Sequence, residues 1–149
     1  MNKQDVLRKI ESILEDAGTG LLAMIDSSGY PRMRWMTPSL LKGNNQALYA
    51  VTSPNFQKIK DLEKNPHVEW MLQSPSLSEI LTINGRINII DNPSLKLEIL
   101  ENIGNKLTMF WRVNSKNDSF VVLETVMESA FYFVPMKGIV ETFNLKVGE

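Results

Sequence analysis

The sequence predicts a mainly β chain with minor α content: six or so antiparallel strands forming a small barrel, with short helices between them. Three observations point there. Short apolar runs are separated by turn sequences such as Asp26-Ser27-Ser28-Gly29 and Gly43-Asn44-Asn45. The clearest run, Ile80 to Ile90, sets Leu81, Ile83, Ile87 and Ile89 at alternate positions, the period of a strand with one buried face. Helical spacing is confined to stretches near 2–17, 56–65 and 93–103, which suits a barrel better than an open parallel sheet.

The elements follow in order. Val6, Ile10, Ile13, Leu14 and Ala17 recur at three- and four-residue steps, so 2–17 is an amphipathic helix, capped by Asn2 and ended by Gly18. Leu21 to Ile25, Pro31 to Leu41 and Ala47 to Thr52 are strands joined by tight turns and read as an antiparallel meander. Ser53-Pro54-Asn55 leads into a short helix. There Ile59 and Leu62 face inward, while Lys58, Lys60, Asp61, Glu63 and Lys64 face water, and Asn65-Pro66 stops it. His67 to Leu72 and Ile80 to Ile90 are strands, the second kinked at Gly85.

Asp91-Asn92-Pro93-Ser94 starts a third helix, an Asx cap followed by proline in the first turn; Leu95, Leu97, Ile99, Leu100 and Ile103 fill it and Gly104-Asn105 ends it. Leu107 to Arg112 has no clear period. Phe120 to Met127 and Ala130 to Val134 are closing strands joined through Glu128-Ser129, and Ile139 to Val147 adds an edge strand. At 149 residues the chain is expected to be one domain over 1–149, a helix at 2–17 and a barrel over about 20–147, because two halves would each have too small a core.

Composition narrows the function. With 43% hydrophobic and 22% charged residues, wholesale disorder is excluded. Sixteen basic against 17 acidic residues leave a net charge of −1, which argues against a nucleic-acid or membrane-surface protein. The absence of cysteine removes disulfides, thiolate nucleophiles and zinc–thiolate sites. The N-terminus lacks a signal-peptide pattern, and no apolar run approaches the ~20 residues of a membrane span, so a cytoplasmic location is expected.

Candidate chemistry is sparse. The only histidine, His67, follows Pro66 at a strand start and reads as structural or solvent-exposed. No G-x-S-x-G elbow accompanies it, and one histidine makes a poor transition-metal site; no metal is expected. Two stretches stand out. Thr52 and Ser53 end a strand just before a helix whose first turn holds Lys58, which is either an anion site or a plain strand-to-helix turn. Arg32 and Arg34, two apart, share one strand face beside Trp35: either a solvent-facing pair over a core tryptophan, or a guanidinium wall for a planar or anionic ligand. Phe110-Trp111-Arg112 has a similar composition and reads first as core packing.

The order of these stretches resembles the FMN-binding split-barrel superfamily, in particular the general stress protein branch of the pyridoxamine 5′-phosphate oxidase-like proteins. Gly29-Tyr30-Pro31-Arg32-Met33-Arg34-Trp35-Met36 is similar to its G-x-P-x-x-R-x-M strand, Thr52-Ser53 to its T-S strand end, and Lys58 to Val68 to its K-x-x-x-L-x-x-N-P-x-V segment. Leu81 to Arg86, Phe110-Trp111 and Phe120 to Glu124 agree with later parts of the pattern, so the resemblance runs from about Leu21 to Phe133.

The resemblance implies a split antiparallel barrel that forms a homodimer, with FMN in grooves at the interface. Arg32, Arg34, Trp35, Met36 and Thr37 would lie along the isoalloxazine. Thr52, Ser53 and Lys58 would hold the phosphate, with Gln57 and Trp111 completing the cofactor-binding set. Phe56 departs from a frequent hydroxyl in the family, and Gln57 from a frequent Pro or Arg. The segment that binds substrate in the longer oxidases has no counterpart here, so true pyridoxamine 5′-phosphate oxidase activity is not expected. The implied function is a flavin-dependent oxidoreductase of unknown substrate; the alternatives are a flavin-binding or storage module without turnover, or a barrel that has lost FMN. No residue is identified as a catalytic acid or base.

Overall fold

The computed structural model describes residues 1–41, 44–53, 58–103 and 120–146. Some expectations fall wholly or partly outside them: the turn at Gly43, the lead-in at Pro54-Asn55, Gln57 with the first residues of the middle helix, Trp111 with its neighbours, the Gly104-Asn105 stop, and Val147. The elements are α1 (Lys3–Ala17), β1 (Gly20–Ile25), β2 (Pro31–Met36), β3 (Ser39–Leu41), β4 (Asn44–Thr52), α2 (Ile59–Lys64), β5 (His67–Gln73), β6 (Ile80–Ile90), α3 (Pro93–Ile103), β7 (Val121–Val134) and β8 (Ile139–Asn144). A short 3₁₀ turn, Pro135–Lys137, joins the last two strands.

Among the described residues every strand pairing is antiparallel, in the order β2-β1-β5-β6-β7-β4-β3, with β8 added to β7. The two ends of that order, β2 and β3, are consecutive in sequence with only Thr37 and Pro38 between them. Three Cα–Cα steps reach no more than about 11 Å. The sheet therefore has to curl until its ends approach, which makes it a barrel. The split lies on β7: β6 runs along one of its edges, while β4 takes Val121 to Val126 and β8 takes Ser129 to Val134 on the other.

Four sequence expectations change. The strand expected over Pro31 to Leu41 is two strands, because Pro38 has no N–H to continue a ladder. The first four strands are then two hairpins at opposite ends of the sheet order rather than a meander. The two closing strands are one, β7, and Glu128-Ser129 lies inside it: the register with β6 shifts by one, from Asn84↔Ser129 to Gly85↔Met127, so Glu128 is a bulge residue. Among the described residues there are eight strands rather than six or so.

The core follows from the alternation. Leu22, Trp70, Leu81, Ile83 and Leu123 point to one face and pack with Val6, Ile10, Ile13 and Leu14 of α1. Val122 and Tyr49 point to the other and pack with Ile99 of α3. Inside the first cluster Trp70 Nε1 donates to Thr125 Oγ1 at 2.9 Å, so both buried polar groups are satisfied. Asn2 caps α1 in a reciprocal box with Asp5, and Gly18 ends it at φ 70°. Asn92 accepts from Leu95 N at 3.2 Å at the start of α3, with Pro93 opening the helix.

One charged contact ties α1 to the barrel. Lys9 Nζ lies 2.7 Å from Glu79 Oε2, and Tyr132 OH donates to the same oxygen at 2.6 Å. The hydrogen bond from Lys9, then that from Tyr132, holds the Glu79 carboxyl below its ordinary pKa. Burial first, and Glu79 second, push the Tyr132 hydroxyl up to about 12. A depressed carboxyl confers stability above its unfolded pKa and loses it as the pH falls through the folded one. The urea midpoint is therefore expected to drop on acidification below the ordinary carboxylate range, and Glu79→Gln is expected to flatten that part of the profile. An unchanged profile in Glu79→Gln would assign the acid limb to other groups.

Candidate functional site

The site begins with an end strand. Among the described residues β2 is bonded along one edge, to β1, and its first five residues are exposed. The register assigns its faces. Arg32 and Arg34 lie opposite Met24 and Leu22, both buried, so the arginines continue the core face outward. Met33 and Trp35 lie opposite Ala23 and Leu21 and take the other face. Trp35 is 58% exposed and Met33 61%, so the reading of Trp35 as a core residue is wrong. An end strand has too few neighbours to cover both faces. The arginine pair does share one face, as the two-residue spacing implies.

Lys58 joins them from a distance in sequence. It occupies the N-cap position of α2, without a side-chain cap bond, and it is half-buried rather than facing water. With Met24, Arg32, Met33, Arg34 and Trp35 it lines one pocket of about 340 Å³. That lies at the small end of the ~300–1,000 Å³ typical of small-molecule sites. Three cations, one indole and two thioethers thus border a single cavity. Partial burial lowers the pKa of the Arg34 guanidinium, which still stays charged at neutral pH.

Arg32 is held in place. Its Nε lies 2.8 Å from Asp26 Oδ2, and its guanidinium stands 6.0 Å from the centre of the Tyr30 ring. Asp26 Oδ1 also accepts from Ser28 N at 2.9 Å and Tyr30 N at 3.0 Å. The bond from Arg32, then the backbone donors, hold the Asp26 carboxyl below its ordinary pKa. Gly29 at φ 84° completes the turn, a left-handed conformation that favours glycine. Asp26 was not singled out in the sequence, although Asp-Ser-Ser-Gly carries the signal of an aspartate bonding its own turn.

The other candidates are placed as follows. Met36 is buried in the main core, and Thr37 is half-buried between β2 and β3. Thr52 is buried at the end of β4, opposite Val121, and Ser53 follows it half-buried. Neither is among the described residues lining the pocket. α2 is described over Ile59–Lys64, with Lys58 at its N-cap rather than in its first turn, and Leu62 is its buried anchor. His67 is exposed at the start of β5. No helix among the described residues is long and apolar enough to cross a membrane.

Comparison with known proteins gives this arrangement a lineage. Residues 6–133 match the family model described as pyridoxamine 5′-phosphate oxidase. No curated protein matches the chain. Among solved structures, a Clostridium acetobutylicum protein related to general stress protein 26 of the pyridoxinephosphate oxidase family is 17% identical. It covers 95% of this chain and 96% of its own, with a TM-score of 0.74. General Stress Protein 26 from Bacillus anthracis is 21% identical over 93% of this chain and 98% of its own, with a TM-score of 0.70. A pyridoxamine 5′-phosphate oxidase-related, FMN binding protein from Nostoc punctiforme is 12% identical over 93% and 95%, with a TM-score of 0.65. These likenesses establish the fold, and the family match spans most of the barrel: the chain belongs to the pyridoxamine 5′-phosphate oxidase family.

Proposed function

We propose that the chain binds FMN in the pocket between β2 and Lys58, does so as a homodimer, and acts as a flavin-dependent oxidoreductase. The observation that carries the reading is the convergence of Arg34, Lys58 and the exposed Trp35 on one cavity. These residues suit the group. A phosphate monoester carries about two negative charges near neutral pH and needs cations and donors where it is desolvated. An isoalloxazine needs an aromatic or thioether wall, which Trp35, Met24 and Met33 offer. A related protein of the same fold is described as FMN binding.

Bound FMN would supply hydride or electron transfer at its ring. The chain's own part is to bind and orient it. Lys58 and Arg34 neutralise the phosphate or the ring edge, Asp26 holds Arg32 along the wall, and Thr52 and Ser53 offer hydroxyls at the end of β4. Gln57 and Trp111 belong to the same proposed set. A second copy would suit the arrangement, because the outward face of β2 continues as a mainly apolar row across the sheet. Trp35 pairs with Leu21, Leu21 with Met71, Met71 with Thr82 and Thr82 with Phe131, which is 40% exposed. Such a row on an end strand and its neighbours suits a two-fold interface.

Titration of the purified chain with FMN, followed by flavin fluorescence, is expected to saturate at one FMN per chain, and sedimentation is expected to give a dimer. Anaerobic bleaching by NADH or NADPH would support turnover over storage. Failure of FMN to bind would overturn the cofactor reading, and a stable monomer at micromolar concentration the assembly.

A further inference from the structure

We infer that Asp61 is a positioning residue for this pocket: its carboxylate ties the β1–β2 turn to α2 and so sets the placement of Lys58 relative to Arg34. The inference rests on the FMN reading above and names a residue of the same site that touches no ligand.

The two walls of the pocket come from separate parts of the chain. One is the β1–β2 hairpin, which carries Arg32, Arg34 and Trp35; the other is the start of α2, which carries Lys58. Lys58 moves with α2, because its carbonyl accepts from Leu62 N at 2.9 Å and Leu62 is buried in the core. The hairpin is less constrained, since β2 is an end strand. A device that joins hairpin to helix therefore governs the separation of the charges.

The turn is built to make that join. Asp26 N donates to Tyr30 O and Gly29 N to Asp26 O, while Ser28 N and Tyr30 N both donate to Asp26 Oδ1. These bonds use every backbone N–H from Asp26 to Tyr30 except that of Ser27. Ser27 N donates instead to Asp61 Oδ1, at 3.1 Å and 34 residues along the chain. Asp61 sits in the first turn of α2, three residues after Lys58. The Asp26 side chain thus organises the turn and holds Arg32, and the Asp61 side chain fixes that organised turn to the element bearing Lys58. A binding constellation tolerates misplacement of only about 0.5 Å, so losing the tie should be felt at the ligand.

Simple electrostatics makes the opposite forecast, which gives the test its edge. Asp61 is an anion close to an anion-binding pocket, and on charge alone both Asp61→Asn and Asp61→Ala would tighten FMN. Positioning separates the two. Asp61→Asn keeps an acceptor oxygen for Ser27 N, whereas Asp61→Ala does not.

FMN is titrated into wild type, Asp61→Asn, Asp61→Ala, Lys58→Ala and the Lys58→Ala/Asp61→Ala double variant, with urea midpoints taken in parallel. Asp61→Ala is expected to weaken FMN by about tenfold, Asp61→Asn by no more than about twofold, and Asp61→Ala to add little once Lys58 is already alanine, since the effect runs through Lys58. Should Asp61→Ala fail to fold, Ser27→Pro removes the donor from the other side. Residue 27 is the second residue of the turn closed by the Gly29 N to Asp26 O bond, a position where proline is favoured, and the same tenfold loss is expected. Wild type that binds no FMN would overturn the FMN reading and this inference together. Wild type that binds, with Asp61→Ala equal to it, tighter, or fully additive with Lys58→Ala, would overturn this inference alone.

Discussion

Gly85→Ala is expected to destabilise the barrel by about 3 kcal/mol, the upper part of the range for overpacking. Gly85 is buried on β6, opposite the bulge on β7. A Cβ there would stand 2.4 Å from Val126 O and 2.8 Å from Thr125 Cγ2. The first of these is a backbone atom of a strand bonded on both edges, so relief requires a shift of the ladder rather than a rotamer change. Thr125 is also the acceptor for the Trp70 indole, so the shift would strain a buried hydrogen bond in the core. Gly20→Ala is the comparison. Its Cβ would meet Leu72 Cδ2 at 2.6 Å, the far end of a flexible side chain, and the expected loss is about 1 kcal/mol. Urea midpoints of the two variants decide the matter; equal losses would mean that β7 yields at its bulge. Against a total stability of about 5–15 kcal/mol, the larger loss would take a substantial share.

The same region shows which features of the fold were legible in sequence. Gly85 stood out because it interrupts an alternating run, and the interruption marks a close approach of backbones. α1 was legible from end to end, because Asn2, Asp5 and Gly18 act within a few residues of where they stand. Glu128-Ser129 misled for the converse reason. Two polar residues in succession look like a turn, but here one is the extra residue of a bulge and the other lies on the outer face, and both facts depend on partners distant in sequence. Pro31 to Leu41 was misjudged at Pro38, whose missing N–H breaks the ladder within what looked like one strand.

The site divides along the same line. Spacing alone puts Arg32 and Arg34 on one face, and the structure keeps them there. Whether that face is open or covered depends on β2 being an end strand, which is a property of the strand order and cannot be found in a window of ten residues. Trp35, on the opposite face of the same strand, is exposed for the same reason. The meeting of Lys58 with the arginines is set by the packing of α2 against the barrel, so it was accessible beforehand only through the resemblance to the family.

Lys58→Ala is expected to weaken FMN binding by about one to two decades and leave the fold intact. The expectation begins with charge. A phosphate of about two negative charges gains most from charge-assisted bonds, on the order of 1.5–3 kcal/mol each. Lys58 is half-buried at the pocket, so its ammonium is less screened than a fully exposed one. Its removal should cost the fold little, because the inward anchor of α2 is Leu62 and Lys58 makes no side-chain cap bond. Lys58→Arg separates charge from shape: it keeps the cation but replaces a compact ammonium with a planar fork, so it should recover part of the loss. Raising the ionic strength should weaken wild type more than Lys58→Ala, because the variant has one charge fewer to screen. Flavin fluorescence titrations at two salt concentrations measure all of this. Equal affinities for wild type and Lys58→Ala, with equal salt responses, would leave the phosphate to Arg34 and to the hydroxyls of Thr52 and Ser53, and would detach the lysine of the family pattern from the ligand in this chain.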